Sequence, residues 1–296
     1  MGATSSKNAQ DTHEIHLPNA TQEQYQNKAI LLTGASRGLG WSLAHALASC
    51  HPSLLILSGR DKEALESVKA ECLQIATHTQ TTQDAPQYDE RIRVECLQCD
   101  LSDKSSVENL ATSSLQLAKS SPLATIDILI NNGGISSRSS FLETRLEVDE
   151  RLMQVNFLSG AGWPRLWFRV WWRSAGVGLF GLVQFRARGY CEALRAELAS
   201  SNVSVHVVSP GYIRTNLSMS AVMGDGKAYS KMDETTANGA DPNRVACEIL
   251  TSVANNKSDF VVAATFSARA ALWLKFLAPR FLEGQLMKRF EKGRLE

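Results

Sequence analysis

Apolar runs and amphipathic stretches alternate along most of this chain. Ala29–Leu32 is a short, wholly apolar run, and the 3.6-residue periodicity that begins at Trp41 predicts a helix to Cys50. Leu54–Leu57 reads as a strand buried on both faces, and Asp61–Ile75 as an amphipathic helix. Ile92–Leu97, Asp103–Lys119 and Ile126–Ile130 continue the series as strand, helix and strand. Further on, Tyr190–Ser200 predicts a helix, Val203–Val208 a buried strand and Tyr212–Asn238 a long irregular loop lying over a ligand. Asp241 caps a helix that begins at Pro242, and Phe260–Ala263 is the last strand. Strand-helix alternation of this kind predicts an α/β fold with a doubly wound parallel sheet and right-handed crossovers, all strand ends facing one crevice.

The segments outside that alternation read differently. Residues 1–27 are rich in Ser, Thr, Asn, Gln and His and are expected to form a flexible arm, and Thr77–Glu90, polar and carrying Pro86, a surface insertion. Met1-Gly2-Ala3-Thr4-Ser5-Ser6 also fits the N-myristoylation pattern. At the other end, 266–296 reads as an amphipathic helix in which Leu272, Trp273, Phe276 and Phe281 mix with Lys275, Arg280 and Lys288. Charges interrupt it too often to span a bilayer, which needs about 20 apolar residues. An interfacial membrane helix kinked at Pro279 and a helix packed on the substrate loop or on a second copy in a homodimer both stay open.

Composition narrows the class without naming a function. At 296 residues, with 44% apolar and 21% charged residues, the chain has the make-up of a globular protein. Its formal charge of +1 and the lack of a basic stripe argue against a nucleic acid partner. Six scattered cysteines without a secretory signal point to reduced thiols inside the cell, in the cytoplasm or on the face of the endoplasmic reticulum membrane. Cys96 and Cys99 form a C-x-x-C, but their odd spacing in a strand sends the side chains to opposite faces, so no metal site is expected.

The chemistry is concentrated at the predicted strand ends. After Ala29–Leu32 comes Thr33-Gly34-Ala35-Ser36-Arg37-Gly38-Leu39-Gly40, a glycine loop between strand and helix in which backbone N–H groups can approach a diphosphate. The second strand ends in Ser58-Gly59-Arg60, where an NAD-selective fold would carry an acid for the ribose 2'-hydroxyl. Arg60 and Arg37 offer planar guanidiniums for a 2'-phosphate instead, which points to NADP(H). The third strand is followed by Asp100-Leu101 and the fourth by Asn131-Asn132-Gly133-Gly134.

These motifs together resemble the short-chain dehydrogenase/reductase family, over about Lys28 to Val262. Thr33–Gly40 matches the family's T-G-x-x-x-G-x-G, Asp100 its adenine-binding acid, and Asn131–Gly134 its N-N-A-G with Gly133 in place of alanine. Ser209-Pro210-Gly211-Tyr212-Ile213-Arg214-Thr215 is similar to the P-G-x-x-x-T segment that closes over the nicotinamide. Within the family the chain looks most like the member-seven group. The resemblance implies a single Rossmann-type domain over 28–265, a cofactor site including Pro210, Gly211, Ile213 and Thr215, and hydride exchange with a lipophilic ketone or secondary alcohol.

It also implies a catalytic Asn, Ser, Tyr and Lys. Asn156 matches the Asn. Over 160–188 the text departs: Trp163, Trp167, Trp171 and Trp172 mix with Arg165, Arg169 and Arg173 in no helix or strand pattern. The fifth strand and the start of the next helix are therefore expected to be disrupted. Reading Gly178 and Gly181 as the turn after that strand puts the serine on Ala175, beside Ser174, the candidate carried forward. No Tyr-x-x-x-Lys occurs in the chain. Two readings follow: an NADP(H)-dependent oxidoreductase whose sequence departs here through splicing or an error in the gene reading, and a catalytically inactive NADP-binding or scaffold protein.

Overall fold

Seven strands share one sheet in the order β3-β2-β1-β4-β5-β6-β7, and every neighbouring pair is parallel. They are β1 Ala29–Thr33, β2 Leu54–Gly59, β3 Arg93–Gln98, β4 Ile128–Asn131, β5 Val177–Leu182, β6 Val203–Pro210 and β7 Asp259–Val262. This computed structural model describes residues 15–79, 92–122, 124–162, 177–182, 188–201, 203–231, 233–262, 274 and 277–295. The flanking helices are α1 Asn19–Tyr25, α2 Gly38–Ala48, α3 Lys62–Thr79, α4 Lys104–Ala118, α5 Leu146–Met153, α6 Arg188–Leu198, α7 Glu234–Ala237, α8 Pro242–Ala254 and α9 Pro279–Leu295.

Both faces of the sheet are covered, which is why β1 and β2 can be apolar at successive positions. Ile30, Leu32, Leu55 and Leu57 pack against α2, α3 and α8, while Ala29, Leu31, Leu54 and Ile56 face α4 and α6. Each fully buried leucine or isoleucine contributes about 1.5–3 kcal/mol by leaving water. Cys96 packs on the first of these cores and Cys99 on the second, so the odd spacing does part the two thiols. At the lower end of the sheet Ala29 N donates to Asp127 Oδ2 at 2.7 Å and Asp127 N to Ala29 O at 2.8 Å. Burial raises the Asp127 pKa, against the opposing pull of the Ala29 hydrogen bond.

Two expectations are corrected. Residues 15–27, read as the end of a flexible arm, pack on the core: Leu17, Thr21 and Tyr25 are buried, and the Tyr25 hydroxyl donates to Leu250 O at 2.8 Å. Periodic burial in a seven-residue helix is too short a signal to stand out from polar text. The fifth strand is present, with Leu129 beside Leu179 and Leu179 beside Val205, and α6 follows it. Parallel pairing needs only a short extended segment with free N–H and C=O groups, and Val177–Leu182 supplies one downstream of the arginine-punctuated text. Pro279 is the first residue of α9, where a helix start has no use for the N–H that proline lacks, and helical residues Leu274 and Leu277 stand just before it.

Met1–Ser6, most of the 77–90 insertion, the tryptophans from Trp163 to Trp172 and Ser174 lie outside the described residues. On α9 and just before it, Leu277, Phe281 and Met287 are exposed. Among the described residues no helix is long and apolar enough to cross a membrane.

Candidate functional site

Strand order reverses between β1 and β4, since the chain builds outward to β3 on one side and to β7 on the other. The carboxyl ends of β1 and β4 diverge at that point and leave a crevice. A cavity of about 430 Å³ opens there. Its floor is held by cross-bonds between the two strand ends: Asn132 Nδ2 donates to Thr33 O and Gly34 O, both at 3.1 Å, and Gly133 N donates to Thr33 Oγ1 at 3.1 Å. The Asn132 amide is thus committed to holding the loop in shape.

The glycine loop meets the demands of a dinucleotide on two independent grounds. Gly34 has φ +67°, and a Cβ there would stand 2.7 Å from Gly133 Cα; a Cβ on Gly40 would stand 2.0 Å from Gly34 O. Only glycine lets these backbones approach so closely. The start of α2 is also left uncapped: Arg37 precedes it with no side-chain cap, whereas Asp103 accepts from Ser105 N at the start of α4 and Asp241 from Arg244 N at the start of α8. Free N–H groups at a helix N-terminus suit a diphosphate.

Every described residue read from the sequence as a site residue lines this one cavity. Ser36, Arg37, Gly38 and Leu39 come from the loop after β1, and Arg60 from the end of β2. Asp100 and Leu101 follow β3, Gly134 follows β4, Pro210 ends β6, and Gly211, Ile213 and Thr215 follow it. Asp100 accepts from Ser102 N at 2.9 Å and Ser102 Oγ at 2.7 Å. Burial pushes its pKa up, but the Ser102 hydrogen bonds and the charges of Arg60 and Arg151 outweigh it, and the carboxyl sits below its ordinary value.

Asn156 lies in a π-turn, Gln154–Leu158, that continues α5. That wider turn presents its amide to the chain after β4, where Oδ1 accepts from Ile135 N and Nδ2 donates to Ile135 O, both at 2.9 Å. Ser174 lies outside the described residues, and the anchor used to place it is lost. Gly178 and Gly181 sit within β5, paired with Ile128 and Asn131, so they are strand residues rather than the turn beyond it. The end of β5 that faces the crevice is Leu182, eight positions after 174 in the chain.

Residues 28–163 match the short chain dehydrogenase family. A dehydrogenase/reductase SDR family protein 7-like protein of Anopheles gambiae is 37% identical over 284 residues, covering 90% of this chain and 84% of that protein. The chain belongs to the short-chain dehydrogenase/reductase family. Dehydrogenase/reductase SDR family member 7B of Bos taurus is 32% identical over 294 residues, covering 91% of this chain and 83% of that one. A short-chain dehydrogenase from Sphingobium yanoikuyae solved with NADPH superposes with a TM-score of 0.64 at 20% identity, over 88% of this chain and 95% of that one. An alcohol dehydrogenase from Thermococcus sibiricus complexed with 5-hydroxy-NADP gives 0.59 at 19% identity, over 81% and 97%. At such identities these two structures speak for the fold. The family match ends at Trp163, where the tryptophan- and arginine-rich text begins.

Several lining residues were not read from the sequence, among them Arg138, Arg151 and Ser218. Arg138 donates through Nε to Asp233 Oδ2 at 2.7 Å, fastening the chain after β4 to the loop after β6. Main-chain bonds reinforce that closure: Val222 N donates to Ser136 O at 2.8 Å, Arg138 N to Val222 O at 3.0 Å and Arg145 N to Gly224 O at 3.1 Å. A pair of opposite charges around the crevice, Arg138 and Asp233, was the available signal, but nothing in sequence spacing joins residues so far apart. Among the described residues the lining holds no lysine and no histidine, and Tyr212 is its one tyrosine. The six thiols are free, with burial raising those of Cys50 and Cys72 to about 12, well out of reactive range. No cluster of three or more His, Cys, Asp or Glu placed for a metal occurs among the described residues.

Proposed function

We propose that this oxidoreductase-family chain binds NADP(H) in the crevice and that the site is shaped for a lipophilic ketone or secondary alcohol. The observation that carries the cofactor choice is Arg37 and Arg60 lining one end of the cavity, neither in an ion pair within 4.0 Å among the described residues. Two exposed guanidiniums suit a 2'-phosphate, and Ser58-Gly59-Arg60, with which β2 ends, includes no acid to select a free 2'-hydroxyl. A nicotinamide held in this crevice would supply hydride to the carbonyl carbon of a ketone or accept it from the carbinol carbon of an alcohol. Gly34, Gly38 and the open start of α2 would receive the diphosphate, and Asp100 the adenine. Pro210, Gly211, Ile213 and Thr215 would border the nicotinamide. Asn156 keeps the Ile135 backbone in place.

The far end supports an uncharged ligand. Arg138 is already paired with Asp233, and Ile135, Val155, Tyr212 and Leu217 supply apolar wall. A second reading has its own observation: no Tyr is followed four residues later by Lys in this chain, and the described lining contains no lysine. Hydride transfer to a ketone leaves an alkoxide that needs a proton donor, and general acid catalysis contributes about 10²–10⁴ in rate. For the sequence as written, cofactor binding without appreciable turnover is the favoured form of the proposal.

Direct titration of NADPH and NADH against the purified chain tests it. NADPH is expected to bind the more tightly. The double variant Arg37→Gln/Arg60→Gln is expected to lose about ten- to a hundredfold in NADPH affinity, the scale of one or two charged hydrogen bonds, with NADH unchanged. Equal affinity for the two cofactors in the wild type sinks the cofactor assignment.

A further inference from the structure

We propose that Tyr212 is a specificity-determining residue: its ring is the face on which a flat, ring-bearing ketone or alcohol lies, in preference to an open alkyl chain. The inference rests on the lipophilic-ligand reading above and narrows it to one class. Among the described residues Tyr212 is the sole aromatic side chain in the cavity lining. It is also 52% exposed, whereas Tyr25 is buried in the core. A single apolar residue on the outer surface calls for no explanation, but a large ring left uncovered on the wall of a cavity is contact surface held for a ligand.

The main chain around that ring is fixed. Gly211 N donates to Val262 O at the end of β7 at 2.8 Å, and the Tyr212 carbonyl accepts from Ala240 N at 2.9 Å. Arg214 N donates to Ala240 O at 3.0 Å, and Ile213 pairs with Ala240 in a short parallel bridge. Gly239 presses so closely on this stretch that a Cβ there would stand 2.7 Å from both Arg214 N and Ile213 C. Ile213, next in the chain, packs with the core on the α2 and α8 side of the sheet. The backbone of Tyr212 is thus set before a ligand arrives, and only two side-chain torsions remain to be ordered. Its hydroxyl enters no hydrogen bond among the described residues, so Tyr212→Phe takes nothing from the fold. The rest of the apolar wall, Ile135, Val155 and Leu217, is branched aliphatic and accepts any apolar shape. An aromatic face discriminates, because its quadrupole favours a second ring, stacked or edge-on, beyond what the covered area alone gives.

The test is calorimetric titration of two ketones of equal carbon number, methyl naphthyl ketone and methyl decyl ketone, into the NADPH-saturated chain, for wild type, Tyr212→Phe and Tyr212→Leu. Tyr212→Leu keeps an apolar side chain but removes the flat face. It is expected to weaken the naphthyl ketone about two- to tenfold and to leave the decyl ketone within about twofold, with NADPH affinity unchanged as the sign of an intact fold. Tyr212→Phe is expected to match wild type with both ketones. A Tyr212→Leu chain that weakens both ketones equally, or neither, overturns the proposal, as does a loss in Tyr212→Phe as large as that in Tyr212→Leu. In those outcomes wild type still binds the ketones, and the lipophilic-ligand reading stands. A wild type that takes neither ketone, with or without NADPH, overturns that reading and this proposal together.

Discussion

At one end of the crevice Arg37 and Arg60 stand without ion pairs among the described residues, and the first N–H groups of α2 are uncapped. At the other end Arg138 is bound to Asp233, and the loop after β6 is fastened to the chain after β4 by at least three main-chain bonds. The first end is a set of unspent donors and cations, costly to keep unless an anion arrives. The second has spent its charge on itself and has become a closed, largely neutral wall. A cavity polarised in this way orients a ligand that is anionic at one end only. The two ends also differ in how much of their chemistry is written in this chain, and that contrast can be broken at several points.

The largest effect is expected in turnover. With NADPH and a lipophilic ketone, turnover by this chain is expected to stay at the background without enzyme, for want of a general acid that contributes about 10²–10⁴ in rate, while NADPH still binds. Turnover about 100-fold or more above that background would show that another group of this chain delivers the proton. Next in size is Gly40→Ala, whose methyl would enter the carbonyl of Gly34. Calorimetry is expected to show a loss of about 1–3 kcal/mol together with weaker NADPH binding. Gly284→Ala on α9, where a Cβ meets nothing within 4 Å, serves as the control and is expected to be neutral or slightly stabilising.

Asp233→Asn tests the closed end. It is expected to cost about 1 kcal/mol and to speed proteolytic cleavage between Tyr212 and Asn238, with NADPH affinity unaltered. Cleavage no faster than in wild type would mean that the main-chain bonds suffice to hold the loop. The smallest effect concerns pH. Burial holds His45 and His206 below the ordinary imidazole range; Glu71 pulls His45 back upward, and the Lys257 carbonyl does the same for His206, without prevailing. Both are neutral in the fold and gain protons on unfolding, so their contribution is present above the unfolded pKa of about 6.5 and is lost as pH falls below it. Thermal melts are expected to show less than about 1 kcal/mol for each imidazole, and His206→Gln should flatten the acid slope.

The open end was legible because its demands are local. A glycine loop between a strand and a helix, an acid after β3 and two glycines after β4 each sit within a few residues of an apolar run, so periodicity and spacing bring them to one crevice. Arg138 and Asp233 meet only because β4 and β6 deliver their loops to the same edge, a fact of sheet order and not of spacing. Arg151 was hidden for a related reason: on α5 it reads as one more charge on an amphipathic face, and only the fold brings it to the cavity that Asp100 also lines. Val177–Leu182 misled in the opposite direction, since its glycines read as a turn when considered alone. Only the register, with Gly178 beside Ile128 and Gly181 beside Asn131, identifies them as strand. Tyr25 shows the same limit at the start of the chain, where its partner carbonyl is 225 positions away.

The pairing of β5 has a consequence for how such a gene can change. A central parallel strand is recruited through peptide groups, which are the same in every residue but proline, so one short apolar segment can replace another without unmaking the sheet. A proton donor has no such substitute, because its pKa and its reach belong to a single side chain. Exchange of the segment after Asn156 is thus filtered unequally, readily passed by folding and severely judged by chemistry. A locus can in this way yield, alongside a working reductase, a folded sibling that competes for the same nucleotide.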